Sequence, residues 1–115
     1  MITIRIDEIP QSNNKYIGRD AKWEYQAEKQ RWAWMIKAAS AKEKPNSPFE
    51  TAEVTLRYHF KDRRRRDPDN YSGKMILDGL VGAGIIKDDS FNNIKLILEA
   101  EFGVDKGTEI IVKAR

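Results

Sequence analysis

Seven consecutive residues carry the most concentrated charge in the chain. Arg63 to Asp69 read RRRRDPD, which sets four arginines against two aspartates that lie two residues apart. Four guanidinium groups favour a polyanion such as a phosphate backbone. Asp67 and Asp69 would repel that same backbone unless a cation neutralises them. Because Mg²⁺ prefers carboxylate and phosphate oxygens as ligands, the run predicts a place where a divalent cation meets a phosphate group.

Asp67 and Asp69 form half of a predicted metal site. Side chains at positions i and i+2 of an extended segment point the same way, and Pro68 favours the extended conformation at the residue before it. Asp88 or Asp89, further along the chain, would supply a third carboxylate. Such a cluster positions Mg²⁺ to polarise a phosphodiester and to generate hydroxide from bound water.

Simpler interpretations of these residues remain open. Asp69 or Asn70 beside a helix start is typical of an N-cap, and an arginine run is also typical of a solvated strand end. Lys74 and Asp78 predict either an ordinary surface ion pair or a lysine that reaches the scissile phosphate. A calcium loop of the EF-hand type is excluded, because its sixth position requires glycine and that position is Ser72.

His59 and the three tryptophans are weaker candidates for chemistry. His59 has basic neighbours on its strand, so we expect a sheet-surface residue rather than a general base. Trp32 fits a core face. Trp23 and Trp34 are candidates for stacking on an exposed base, but core or interface packing is the expectation for them.

The hydrophobic pattern predicts the elements that must position these residues. Four segments have the period of a strand, namely 2–6, 51–61, 94–102 and 108–114. Two segments have the period of a helix, from about Gly18 to Ala41 and from about Ser72 to Val81. The order β-α-β-α-β-β predicts a single α+β domain over residues 1–115. Its sheet is expected to be mixed or mostly antiparallel, with helices on one face.

The same pattern predicts which side chains face the core. The expected inward residues are Tyr25, Trp32, Met35, Ile36, Ala39, Ala52, Val54, Leu56, Tyr58, Phe60, Ile76, Leu80, Ile94, Leu96, Leu98, Ala100 and Phe102. Arg57, His59 and Lys61 would project from the opposite face of the sheet. A turn through Gly103 and Gly107 is expected to join the last two strands.

Composition limits the kind of protein. The 115 residues include 34% charged residues, carry a net charge of +3 and contain no cysteine. There is thus no disulfide, thiolate nucleophile or cysteine zinc site, and no apolar run approaches the roughly 18 residues of a membrane span. No secretory signal is visible, so a cytoplasmic location is expected. The modest positive charge favours an anionic partner.

The stretch from Arg63 to Ser90, RRRRDPDNYSGKMILDGLVGAGIIKDDS, resembles the core motif of the RusA-type Holliday-junction resolvases. That family's pattern is a basic run, D-x-D-N, a lysine on the following helix, Asp-x-Leu, a glycine and a closing D-D. The matching residues are Asp67, Asp69, Asn70, Lys74, Asp78, Leu80, Gly84, Asp88 and Asp89. The segment IPQSNNKYIG is similar to the family's N-terminal Pro-x-Ser-x-Asn loop, through Pro10, Ser12, Asn14 and Tyr16.

The resemblance implies a homodimeric crossover junction endodeoxyribonuclease. Such an enzyme recognises four-way DNA junctions by shape and nicks two opposing strands symmetrically with Mg²⁺ or Mn²⁺. It implies Asp67, Asp69 and Asp89 as the catalytic metal ligands, with Asp88 as the alternative to Asp89, and Lys74 as an essential lysine. Three residues separate D-x-D-N from this lysine, where some members have two. The expected DNA contacts are Asn14, Tyr16, Arg57, Lys61, Arg63, Arg64, Arg65, Arg66 and Asn70.

Two other classes of function remain. A non-catalytic nucleic-acid-binding domain would use the same basic surface, and it would bind branched DNA tightly without metal-dependent nicking. A structural or protein-interaction module would carry these charges as solvated surface. In that case DNA binding would be negligible and insensitive to salt.

Overall fold

The computed structural model describes residues 1–16 and 21–115. In these residues the elements are β1 (Ile2–Ile6), α1 (Lys22–Ser40), β2 (Ala52–Phe60), α2 (Lys74–Gly82), β3 (Ile94–Phe102) and β4 (Gly107–Ala114). Two short 3₁₀ turns cover Asn13–Lys15 and Pro68–Tyr71. The predicted α+β class and the order β-α-β-α-β-β are confirmed. The expected helix start at about Gly18 lies outside the described residues.

The four strands form one mixed sheet in the order β1-β4-β2-β3. β4 is antiparallel to both of its neighbours, whereas β2 and β3 are parallel. β3 and β4 follow each other in the chain but do not pair, since β2 lies between them. The connection therefore passes the end of β2, where the Gly103 amide donates to the Phe60 carbonyl (2.9 Å). This central strand leads directly into the arginine run.

The core lies between one face of the sheet and the two helices. All five predicted inward residues of β2 are buried, and Trp32, Ile36, Ile76 and Leu80 from the helices are fully buried. Tyr25 and Met35 are half-buried against this core. Ala39 is exposed, and Ser40 is buried in its place. The predicted inward face of α1 is therefore wrong by one residue at the C-terminal end of the helix.

The inward face of β3 is covered only at its start. Ile94 is buried, and Leu96 and Leu98 are half-buried. Ala100 and Phe102 are exposed, so their predicted burial is wrong. The physical reason is position: β3 is an edge strand, while α1 packs against α2 and against β1 at the opposite edge.

α1 buries one tryptophan and exposes two. Trp32 is fully buried, whereas Trp23 and Trp34 are exposed. Trp23 and Trp34 are eleven residues apart, close to three full turns, so they share one outer face of the helix. Of the two expected kinds of packing, core packing is therefore wrong for these side chains, and interface packing stays a prediction. Neither α1 nor any other helix in the described part of the chain is long and apolar enough to cross a membrane.

Candidate functional site

The arginine run forms a tight turn around Arg66. The Asp62 carboxylate accepts from the Arg64 amide (2.9 Å) and from Arg66 Nη2 (3.0 Å). Arg66 Nη1 donates to the carbonyls of Asp62 and Arg64, both at 3.1 Å, and the guanidinium lies 4.0 Å from the ring centre of Phe60. The Arg64 amide, and secondarily Arg66, hold the pKa of Asp62 below its ordinary value. Arg66 therefore fixes the shape of the turn.

The four arginines divide into two that pack and two that face solvent. The Arg66 side chain is only 15% exposed, and Arg63 lies over the Phe102 ring at 4.9 Å. Arg64 and Arg65 are 77% and 89% exposed. These two side chains are therefore the solvent-facing cations of the run. Arg65 is also paired with Asp67 at 3.3 Å, so a phosphate contact through Arg65 would compete with that ion pair.

Arg57 projects from the open face of the sheet, as expected, but its charge is already paired. Its guanidinium lies 2.8 Å from Glu99, 3.1 Å from Glu109 and 3.7 Å from Glu101. Hydrogen bonds to Glu99 and then Glu109 raise the pKa of Arg57. His59 Nε2 lies 3.2 Å from the same Glu109 carboxylate. A DNA phosphate that binds Arg57, as predicted, would have to compete with these three glutamate carboxylates.

Asp67 and Asp69 adopt different backbone conformations. Asp67 is extended (φ −97°, ψ 136°), as the following proline predicts, and its carboxylate lies 3.3 Å from Arg65 Nε. Asp69 lies inside the 3₁₀ turn Pro68–Tyr71. Because a 3₁₀ turn has three residues per turn, the extended-segment argument for two parallel side chains does not apply to Asp69.

Asn13 joins the N-terminal segment to the motif. Its side-chain amide donates to the Asp69 carbonyl (3.0 Å) and to Ser72 Oγ (3.2 Å), so the two 3₁₀ turns pack together. Beside this bridge lies an open cleft of about 360 Å³. The cleft is lined by Ser12, Asn14, Arg65, Arg66, Asp67, Asn70 and Tyr71. Five of the predicted site residues therefore share one cleft, namely Asn14, Arg65, Arg66, Asp67 and Asn70.

Lys74 is the first residue of α2 and points its ammonium at Asp78. Lys74 Nζ donates to Asp78 Oδ1 (3.3 Å), and Lys29 of α1 lies 3.6 Å from the other carboxylate oxygen. The hydrogen bond to Asp78, with a smaller contribution from the charge of Asp89, raises the pKa of Lys74. Lys74 is therefore a cation at neutral pH. The surface ion pair between Lys74 and Asp78, one of the two predicted alternatives, is therefore present.

Gly73 provides the turn that starts α2 and therefore places Lys74. Its backbone is left-handed (φ 81°, ψ 23°), and its carbonyl accepts the first helical hydrogen bond, from the Leu77 amide (2.8 Å). A Cβ at this position would collide with Leu56 Cδ1. The third residue between D-x-D-N and the lysine is thus the one residue type that this turn accepts.

Asp88 and Asp89 differ in what they do. The Asp88 carboxylate accepts from the Asp89 amide (2.9 Å), and Asp88 is exposed. Asp89 is half-buried, and its charge acts on Lys74. A carboxylate that caps its own turn is already engaged. Asp88 is therefore held within its own turn, whereas the charge of Asp89 contributes to the raised pKa of Lys74.

The chemistry of the acidic residues fits a hard divalent cation, since carboxylate oxygens are ligands for Mg²⁺. Over residues 1–16 and 21–115, however, no group of three or more His, Asp or Glu side chains is placed to hold one ion. The ligand set Asp67, Asp69 and Asp89 therefore stays a prediction.

Three positioning residues were not singled out from the sequence. Asn13 lies in the polar QSNN turn, where only its neighbours Ser12 and Asn14 matched the motif and indicated a functional segment. Lys29 lies within α1, and no local sequence pattern marks it. Tyr58, assigned to the core, also donates its hydroxyl to the Tyr71 carbonyl (2.8 Å), and burial raises the pKa of that phenol. This bond fastens the motif to the central strand.

The fold and the arrangement of charges fit the class of small α+β proteins that act on nucleic acids. The protein-family model Endodeoxyribonuclease RusA matches residues 8–113. The chain therefore belongs to the RusA endodeoxyribonuclease family, and the resemblance of its motif to the RusA-type Holliday-junction resolvases is confirmed. Membership makes it a nuclease by family, and so a hydrolase of DNA phosphodiesters. A search of curated protein sequences returned no match.

Proposed function

We propose that this chain is a Mg²⁺-dependent, structure-specific endodeoxyribonuclease that resolves four-way DNA junctions by paired, symmetric nicking. Mn²⁺ is the alternative ion, and recombination and repair in the cytoplasm are the proposed setting. One observation carries the proposal. In a chain of a nuclease family, a single cleft is lined by a carboxylate, two side-chain amides and an exposed guanidinium, from Asp67, Asn14, Asn70 and Arg65.

Substrate binding is assigned to the exposed cations and the polar residues of the cleft. Arg64 and Arg65 face solvent, and Lys61, the residue directly after β2, is also exposed. Contacts of this kind bind phosphate oxygens and carry no base sequence directly. Recognition would therefore depend on the shape of the DNA. Asn14 and Asn70 would contribute hydrogen bonds, and Tyr16 lies in the neighbouring cleft with Lys74.

Catalysis is assigned to the acidic residues and to Lys74. Asp67, Asp69 and Asp89 would hold the divalent cation, which supplies an activated water as the nucleophile. Lys74 would stabilise negative charge developing on the phosphate, as a fixed cation does without reorganisation. Its raised pKa keeps it protonated, so it is suited to this role and not to that of a general base.

A homodimer is proposed because two opposing strands must be cut at symmetric positions. A two-fold pair of identical subunits presents two identical sites to a junction that is itself nearly two-fold symmetric. Each subunit then needs to cut one strand.

The test is cleavage of a fixed four-way junction with and without Mg²⁺, with the nicks mapped on all four strands. Asp69→Asn is expected to abolish cleavage and retain junction binding. Asp105→Asn is the matched control, because Asp105 is an exposed acid like Asp69 but lies in the β3–β4 connection, outside the stretch from Arg63 to Ser90. Cleavage by Asp69→Asn at the rate of the unaltered protein would contradict the assignment.

The nick pattern separates the alternatives. Paired nicks at symmetric positions would support a dimeric resolvase, and scattered single nicks would indicate a general nuclease. Tight binding without metal-dependent nicking would instead favour the non-catalytic DNA-binding domain. Comparison of Asp88→Asn with Asp89→Asn assigns the third ligand, and the Asp89 variant is expected to lose more activity.

A further inference from the structure

Phe91 is a large apolar side chain with no cover from the rest of the described chain. It is fully exposed, more so than any other large apolar residue in those ranges. It lies on the segment between α2 and β3, two residues after Asp89. Exposure of one aromatic ring is common on protein surfaces, so exposure alone does not indicate a binding role.

The turn that presents Phe91 is held at both ends. The amides of Asn93 and Ile94 both donate to the Ser90 carbonyl at 3.0 Å, and Ser90 Oγ donates to Asn93 Oδ1 at 2.6 Å. Asn93 is fixed to the segment before β2, because its side chain donates to the Glu50 carbonyl (2.9 Å). The ring is therefore displayed on a preorganised support rather than on a loose loop.

The position of this ring relative to Asp89 is limited by chain geometry. Two residues span at most about 7 Å. Successive nucleotides of one DNA strand rise about 3.4 Å. The Phe91 backbone therefore lies within about two nucleotide steps of the Asp89 backbone.

We propose that Phe91 stacks on a base at the branch point of the DNA, next to the phosphate that is cut. The inference rests on the proposed function and adds a specificity-determining residue to it. Where the arms of a junction are unstacked, the base pairs at the branch point end on an open face that an aromatic ring can cover, whereas the bases of a continuous duplex are already stacked. Apolar side chains that enter a base step are a known way for proteins to hold distorted DNA.

The prediction concerns the preference for junctions rather than overall affinity. Phe91→Ala is expected to weaken junction binding by about 5-fold to 140-fold, which corresponds to the roughly 1–3 kcal/mol of base–aromatic stacking. Binding to a linear duplex of the same length should be unchanged. Phe91→Trp should retain the preference, and Phe91→Leu should lose most of it, because leucine has no aromatic face.

Val104→Ala is the matched control. Val104 is also an exposed apolar residue, and it lies in the β3–β4 connection. All variants are compared by thermal midpoint, which should be equal, since neither side chain packs. Base unstacking is followed with 2-aminopurine at the branch point, in Asp69→Asn protein so that the DNA stays intact. Phe91→Ala in that background should give a smaller fluorescence rise.

The outcomes separate this inference from the proposed function. An unaltered protein that neither binds nor cuts any branched DNA would overturn both. Normal cleavage with an unchanged junction preference in Phe91→Ala would overturn the role of Phe91 alone. A shift of Phe91→Ala from dimer to monomer in sedimentation would also overturn it, because the ring would then cover a second copy.

Discussion

Replacing Gly73 with alanine tests the left-handed turn that starts α2 and places Lys74. The Gly73 backbone is left-handed, which costs an L-residue about 1–2 kcal/mol. The new methyl group would also collide with Leu56 Cδ1 of the central strand, and overpacking of this kind costs about 1–3 kcal/mol. Gly73→Ala is therefore expected to lower the free energy of unfolding by about 2–5 kcal/mol, out of a typical 5–15 kcal/mol.

Two other glycines separate the two contributions. Gly84 also has positive φ (76°), but its nearest neighbour is the flexible end of Lys44, so Gly84→Ala should lose only about 1–2 kcal/mol. Gly82 ends α2 with nothing within 4 Å, so Gly82→Ala should be neutral or stabilising by up to about 1 kcal/mol.

Urea denaturation of the three variants, followed by far-ultraviolet circular dichroism, measures these differences. The expected order of stability is the Gly82 variant, then the Gly84 variant, then the Gly73 variant. For a chain of this size, the Gly73 variant should melt roughly 8–20 °C lower than the unaltered protein. If Gly73→Ala were as stable as Gly82→Ala, the reasoning about the left-handed turn and the Leu56 contact would be refuted.

Further predictions follow from the charged groups. Arg65→Ala should leave the thermal midpoint unchanged and reduce the salt dependence of DNA binding by about one phosphate contact, whereas Arg66→Ala should lower stability by roughly 1–2 kcal/mol through loss of the ring contact and hydrogen bonds. Asp78→Asn should lower the pKa of Lys74, measured by NMR of labelled lysine. Hydrogen bonds from His59 and then Arg57 lower the folded-state pKa of Glu109 below its ordinary value of 4.5. The contribution of Glu109 to folding stability is therefore present above pH 4.5 and is lost as the pH falls through the folded-state pKa. Glu109→Gln should therefore be less stable at neutral pH, with the difference in urea midpoint shrinking as the pH falls below 4.5.

Local periodicity was sufficient for most of the fold. The alternation in β2 gave both its inward face and its exit into the arginine run, because every second residue there is apolar. The same reasoning failed at Ala100 and Phe102. These residues continue the apolar alternation of β3 and so were expected to be buried, but they are exposed. What exposes them is the strand order, which puts β3 at an edge beyond the helices. Strand order depends on contacts between distant segments and leaves no local signal.

The site divides in the same way. Pro68 correctly predicted an extended Asp67, because the effect is steric and acts between neighbours. The 3₁₀ turn at Asp69 depends on support from Asn13, 56 residues earlier, and could not be read from the motif. Likewise, nothing local distinguishes Arg66, which packs on an aromatic ring, from Arg65, which faces solvent.

The unequal exposure of the tryptophans on α1 gives the protein two separate fluorescent reporters. Trp32 is inaccessible, so its emission should shift only when the core opens. Trp23 and Trp34 are open to collisional quenchers such as iodide, and they share one helix face. Quenching that falls as protein concentration rises would show a second copy covering that face, and quenching that falls on adding DNA would show DNA there instead. A Trp32→Phe variant would isolate the exposed pair, so association could be followed without a signal from the core, and the unaltered protein would report unfolding through Trp32.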